Sequence, residues 1–449
     1  MVLARFRWCV VTANKSRNRK RKDVNVKSRT SLTMTADFTI AARLSSAISS
    51  GALLTVLLLA LPLAAQAQDF SYTIYNGTVT ITEYIGPGGA VTIPDTITNF
   101  PVVSIAAGAF MGNPNVTSVT ISTNVLSIGD DAFDQCYSLT NATIPAGVVS
   151  IGDFAFTETA LTTVTIPSTL TSLGNGVFNE CYSLGAINVA GANSVYSSAG
   201  GVLFNHAKTT LIQCPPAFAG SYSIPSTVTT IASDAFDACS GVTNVTIPPG
   251  VTSIGDFAFN ATGLMSVTVP SGLTSIGSHV FAFCSSLANI TIPNAVTSIG
   301  PDAFLYCTSL TNATIGSGVT SLGSDSFANC SSLLSAYFNG KAPSGDSTVF
   351  AGDNNLVIYF PAHATGWGQY FYTFPTWYPI IQSIGIQTNQ FGFNITGNNN
   401  LVVVVEACTN LANPAWTPLQ TISLSAGPVY FSDPLSRNYS KRFYRLSAP

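Results

Sequence analysis

The side chains of this 449-residue chain that could do chemistry are nine cysteines, three histidines and 20 acids. Six cysteines, Cys136, Cys181, Cys239, Cys284, Cys307 and Cys330, recur in one slot, three residues after a phenylalanine. Such a row could carry disulfides or hold a metal. A zinc site needs paired Cys or His ligands at short spacing, and the chain has no Cys-x-x-Cys and only His206, His279 and His363. Thr159 and Thr262 take the slot in two copies. A small side chain therefore suffices, and the expectation is a ladder of buried free cysteines rather than cross-links. Asp131, Asp234, Asp302 and Asp325 share a second slot, two residues before the phenylalanine. A column of single carboxylates about 5 Å apart makes a poor calcium cage, so the expected role is to cap a short helical turn. No Gly-x-Ser-x-Gly, P-loop, His-Glu-x-x-His or dinucleotide fingerprint occurs. The reading is a non-enzymatic protein with no catalytic residue, no metal and no cofactor. An enzyme would have to be built within residues 380–449, where Glu406 and Asp433 are the only acids and there is no histidine.

What positions these residues is a repeat. Phe110, Phe133, Phe156, Phe178, Phe236, Phe259, Phe281, Phe304 and Phe327 follow one another at 22 or 23 residues, with one gap of 58 after Phe178. A fixed period of that size is the mark of a solenoid, in which each turn stacks only on its neighbours. In the unit 296–320 the apolar residues are Val296, Ile299, Phe304, Leu310 and Ile315. Val296–Ile299 and Ala313–Ile315 alternate as half-buried strands do, and Asp-Ala-Phe-x-x-Cys between them reads as one tight helical turn. Burying five such side chains contributes roughly 8–15 kcal/mol, against roughly 25–45 kcal/mol of backbone entropy for some two dozen residues. One turn cannot stand alone. About ten turns at the strand spacing make a rod of roughly 45–50 Å.

Two rows of hydroxyls follow from the same period. Thr120, Thr143, Thr165, Thr246, Thr268, Thr291 and Thr314, with Tyr337 after them, take the outward place of one strand. Thr171, Thr229, Thr252, Thr274, Thr297 and Thr320 form a second row. Threonine suits a pleated exposed strand, so strand propensity alone accounts for both rows. Read functionally, the first is a nearly uncharged face that meets a glycan or protein through many weak contacts.

Charge and the N-terminus set the compartment. Eleven of the 17 basic residues lie before residue 44, and from Gln68 onward 6 basic residues face 18 acidic ones, a balance of −12. A body this acidic with no basic stripe argues against nucleic acid and anionic membrane surfaces. Arg43, the apolar run 52–65 and Ala65-Gln66-Ala67 before Gln68 give a charged flank, a short hydrophobic core and a cleavage site, which reads as a secretory signal at about 34–67 inside a leader 1–67. The core is short for a membrane span, so no transmembrane segment is expected after cleavage and the mature chain is placed at the cell surface or outside the cell. Arg437, Lys441, Arg442 and Arg445 hold four of the six basic residues of the body. They are expected to form a solvated strand face rather than an anion site.

The unit Ile-Pro-x-x-Val-Thr-Ser-Ile-Gly-x-x-Ala-Phe-x-x-Cys-x-Ser-Leu-Thr resembles the BspA-type, or Treponema pallidum-type, leucine-rich repeat family over about 70–379. The insert Gly201–Asn205 with Lys208–Ile212, and the closing segment Val349–Pro361 with Thr365-Gly-Trp-Gly368, are similar to elements of that family. The resemblance implies a curved, β-rich solenoid on bacterial surface or secreted proteins, several of which act in adhesion and partner binding. The expected fold is thus a β-dominated leucine-rich-repeat solenoid of 22–23-residue turns with short helical turns, plus a small C-terminal all-β domain. Its parts are a cap hairpin at 68–100 turning at Asn76-Gly77, repeats at 101–338 with a hairpin projecting at about 196–212, a closing cap at 339–379, and a β-sandwich-like domain at 380–449. The last part is similar to a C-terminal domain of exported Verrucomicrobia-like proteins. The expected partner is an extracellular protein or polysaccharide. The alternative is a structural envelope or matrix spacer docked through residues 380–449.

Overall fold

The computed structural model describes residues 69–449 apart from 361–363, 369, 373, 377–379, 388–389, 398–401, 425–426 and 448–449. The leader at 1–67, its cleavage site and His363 lie outside the described residues. Among the described residues no helix is long and apolar enough to cross a membrane.

The chain coils as a β-solenoid of about 12 turns with almost no helix. Each turn contributes two parallel strands. One ladder pairs strands such as Asn289–Thr291, Asn312–Ile315 and Ser335–Phe338, residue on residue one turn apart. The other pairs two-residue strands such as Ser275–Ile276, Ser298–Ile299 and Ser321–Leu322. Inward Ile and Val residues are fully covered only because the next turn lies over them.

The corner carrying the phenylalanine departs from expectation. It is no helical turn. The residue two before the ring has φ between 52° and 59° at Asp131, Phe154, Asp234, Phe257, His279, Asp302 and Asp325. The residue two after it has φ between 53° and 60° at Gln135, Glu158, Glu180, Ala238, Ala261, Phe283, Tyr306 and Asn329. The acids therefore do not cap a helix, which corrects that expectation. The left-handed residues turn alternate N–H groups along the solenoid axis, and these bond to the next turn: Asp131 to Asp153, Phe133 to Ala155, and Gln135 to Thr157. A third ladder of three bonds per step, each worth about 0.5–1.5 kcal/mol, offsets two left-handed residues per turn at about 1–2 kcal/mol each.

Twelve turns rather than ten reflects the ends. Tyr84 in the cap stacks on Phe110 at 5.0 Å, and Phe350, which lacks the preceding alanine, stacks on Phe327 at 5.4 Å. The cap itself is the hairpin Phe70–Tyr75 with Thr78–Tyr84, closed by Asn76 and Gly77, both at positive φ. Between these ends the rings are wholly buried. Neighbours from Phe110 to Phe178 and from Phe236 to Phe350 lie 4.7–5.9 Å apart with planes within 25°.

The insert does not stand clear of the wall. Tyr196–Ala199, Val202–Asn205 and Thr210–Gln213 form an antiparallel meander whose last strand joins the short-strand ladder at Thr230–Ile231. Val202, Leu203, Phe204 and Leu211 have no exposed surface. The insert thus replaces a turn, and the apolar interior divides there into one cluster ending at Leu203 and another beginning at Val202. Residues 380–447 form two three-stranded antiparallel sheets sharing a core of Phe393, Ile395, Val403, Val405, Ile422 and Phe431.

Candidate functional site

The two hydroxyl rows, alike in sequence, separate in the structure. Direct parallel pairing joins Thr120 to Thr143, Thr165 to Asn188, Thr291 to Thr314 and Thr314 to Tyr337. Thr246 follows Ser223 in the same register, and Thr268 comes next to it, one residue beyond the paired Val245 and Val267. All of these threonines are exposed except Thr314, which is half-buried like Tyr337. Their hydroxyls make no hydrogen bond to the described residues. Four of the six hydroxyls of the second row, those of Thr171, Thr229, Thr297 and Thr320, are spent internally. Thr297 Oγ1 donates to the Thr274 carbonyl at 3.0 Å and Thr320 Oγ1 to that of Thr297 at 3.1 Å, while Thr171 reaches Val149 at 3.3 Å. The first row is the face with bonding capacity left over.

Pairing extends that face at both ends. Thr92 pairs with Thr120, and Tyr359 pairs with Tyr337, their rings stacked at 4.7 Å. The sequence signal for Tyr359 was Val357-Ile-Tyr, in phase with Ser335–Phe338 but lying past the last regular repeat. A second feature went unread: Phe154, Phe257, Phe283 and Tyr306 take the left-handed slots and are 36–46% exposed. Phe283 stacks on Tyr306 at 5.3 Å and Phe257 on His279 at 4.4 Å. An aromatic in the place of Asp or Gly was the available signal.

The remaining candidates for chemistry are occupied structurally. The cysteines Cys136 through Cys330 are free and buried. The thiols of Cys136, Cys181, Cys284, Cys307 and Cys330 donate at 3.0–3.2 Å to the phenylalanine carbonyl of the turn below. Burial pushes Cys136 up to about 12 and Cys284 up to about 11, so neither offers a thiolate at neutral pH. His206 Nδ1 lies 3.0 Å from the Asn193 carbonyl and ties the insert to the corner before it. His279 Nε2 is 3.4 Å from Asp302. In the C-terminal domain Arg442 pairs with buried Asp433 at 2.8 Å and Arg445 with Glu406 at 2.6 Å, each cation also lying over a ring, Tyr439 and Trp416. Tyr444 donates to the same Asp433 carboxylate at 2.7 Å. The two acids of this domain are thus held in ion pairs, and two of its four cations are committed.

Residues 103–216 and 218–334 match the BspA type leucine rich repeat region, in six copies. The chain belongs to the BspA-type leucine-rich repeat family. The family match stops at residue 334, before the C-terminal domain. Solved structures of similar fold include the pneumococcal vaccine antigen PcpA, at 21% identity over 66% of this chain and 92% of that one, with a TM-score of 0.55. A leucine-rich repeat protein from Eubacterium ventriosum gives 24% identity over 66% and 94%, with a TM-score of 0.50. A leucine rich cell surface protein from Faecalibacterium prausnitzii gives 28% identity over 61% and 94%, with a TM-score of 0.44. The likeness to the first two is a likeness of fold. No curated protein matches the chain. In this BspA-type chain the repeat sequence goes into stacking, and the matched family is one of repeats rather than of catalysts.

Proposed function

We propose that this chain is an exported, non-enzymatic binding module that holds an extracellular protein or polysaccharide on the row Thr120, Thr143, Thr165, Thr246, Thr268, Thr291, Thr314 and Tyr337. The observation that carries this reading is the contrast between rows: four of the six hydroxyls of the second are consumed by the neighbouring turn, and none of the threonine hydroxyls of the first is. A regular array of free hydroxyls ending in the stacked pair Tyr337 and Tyr359 suits a partner that spreads weak contacts over several turns. The secretory leader supports the extracellular setting, and the balance of −12 over the body speaks against nucleic acid. The test is a panel of immobilised glycans and extracellular-matrix proteins probed with the full chain and with Thr291→Glu and Tyr337→Ala. Binding that weakens at least tenfold in both variants supports the row. Binding that neither variant changes removes it.

A further inference from the structure

The ladder at the phenylalanine corner is complete at every interior step except one. In each of the turns of Phe110, Phe133, Phe156, Phe236, Phe259, Phe281 and Phe304, three axial N–H groups reach carbonyls of the next turn. In the turn of Phe178 the corresponding donors, the amides of Gly176, Phe178 and Glu180, have no partner among the described residues. On the other side of the gap, Cys214 N–H reaches the Ala235 carbonyl, but the equivalent carbonyls of Ser233 and Asp237 receive no donor. Between these edges lies a cleft of about 490 Å³ lined by Asn175, Asn179, Tyr196, Gln213, Ala232 and Asp234, among others. Its volume is that of a small-molecule site.

The sequence itself marks this gap. Four residues before the phenylalanine, the regular turns carry glycine, because a Cβ there would enter the backbone of the turn below, as at Gly174 against Gly152 and Asp153 and at Gly255 against Ser233. At the cleft that place is Ala232, whose Cβ has room. The other interior alanine in this slot, Ala106, stands on the first repeat above the cap.

We infer that this cleft is a binding site for a short neutral saccharide of two or three sugar units. The donors and acceptors match. The Gly176 N–H and the side-chain amides of Asn175 and Asn179, which line the cleft, meet hydroxyl or acetamido oxygens, and Asp234 accepts from sugar hydroxyls. The Gln213 amide is already aimed at Asn179 Oδ1 at 3.1 Å, bracing the floor. Phe154, 45% exposed, lies directly over Gly176 at the rim and offers a ring face for a sugar to stack on. Charge excludes the other classes. Burial, and after it the neighbouring carboxylates Asp237 and Asp256, pushes Asp234 up to about 6, and burial with Glu158 beside it raises Glu180, so an anion is repelled. The inward N–H dipoles oppose a cation. This site is separate from the exposed threonine row and stands or falls without it.

The test is isothermal titration of the full chain with lactose, cellobiose, chitobiose and maltotriose, with sialyllactose and tetra-alanine as the acidic and peptide arms. At least one neutral sugar is expected to bind one to one. Ala232→Trp, which fills the cleft, should weaken that binding at least tenfold with an unchanged melting profile, and Thr291→Glu should leave it as it was. The amide resonances of Gly176, Phe178 and Glu180 should shift on titration, a readout that needs no variant to fold. The inference is overturned if no neutral sugar binds, if only sialyllactose or the peptide binds, or if those three resonances stay in place. Sugar binding lost in Thr291→Glu but retained in Ala232→Trp would refute the cleft and assign the sugar to the row.

Discussion

From Phe236 to Phe350 six rings stand one above another, each within 5.4 Å of the next and each buried completely or nearly so. Across the 58-residue interval before Phe236 the same chain changes partners. Phe178 ends one run of rings, an antiparallel meander fills the next turn, and Tyr222 rather than a phenylalanine approaches Phe236, at 6.2 Å. The first region shows what a 23-residue period dictates when nothing interrupts it: rings and left-handed corners in register, with every axial amide from Asp234 to Asn329 paired. The second shows what is left when the register is broken once, namely polar backbone edges facing a gap. A solenoid without ends inside it has no free edge; this one has a pair of them.

The largest effect expected from breaking that contrast is in the packed run. Phe281→Ala should cost about 3–5 kcal/mol, read as a fall in the urea midpoint, because rigid rings above and below keep the cavity open. Phe178→Ala, whose ring has an aromatic neighbour on one side alone, should fall at or below the lower end of that range. An exchange of small residues comes next. Gly323→Ala drives a Cβ toward the backbone of Gly300 and Pro301 and should cost about 1–3 kcal/mol. Ala232→Gly at the cleft should cost no more than about 1 kcal/mol, the entropy of a glycine. If the two substitutions cost the same, the turn at the cleft is packed as tightly as the rest.

The last turn supplies a pH test. Asp353 takes the cysteine slot after Phe350, is 1% exposed, and neither carboxylate oxygen has a hydrogen bond. Burial pushes it up to about 8. The folded state therefore keeps a proton that the unfolded chain releases near pH 4. The stability this provides is whole below about pH 4 and is lost as pH rises to about 8. Asp353→Cys should raise the thermal midpoint at pH 8.5 and leave it nearly unchanged at pH 4. The smallest change expected is at the thiols. Cys284→Thr imitates Thr262, whose Oγ1 already bonds the Phe259 carbonyl at 3.0 Å, and should move stability by about 1 kcal/mol or less. Reductant should not alter the melting of the parent chain, since the eight cysteines among the described residues are unbridged.

The rings, the strands and the cysteine slot were legible because each repeats an apolar or small residue at one phase, and periodicity reports burial. The corner was not. Phenylalanine and cysteine three apart look like one face of a helix, and the residues holding the left-handed slots include Phe154, Glu180, Ala261 and Tyr306, none of which favours that conformation by itself. The bonds that impose it run to the next turn, so no single repeat contains the cause. The end turns were undercounted for a related reason, as Tyr84 and Phe350 sit in sequences altered to close the core. Of the candidate face, the row was legible and its distinction from the second row was not, because both are periodic threonines on or next to strands, and the carbonyls of the neighbouring turn that four of the second row reach are not written in the repeat.

Native-state hydrogen exchange on the full chain tests the contrast most directly. The amides of Phe133, Phe259, Phe281 and Phe304, each bonded to the next turn, should exchange only with unfolding of their half of the solenoid. Those of Gly176, Phe178 and Glu180 should exchange orders of magnitude faster. Equal protection across both sets would mean that the ladder runs unbroken through the insert, and that there is no open edge at the cleft.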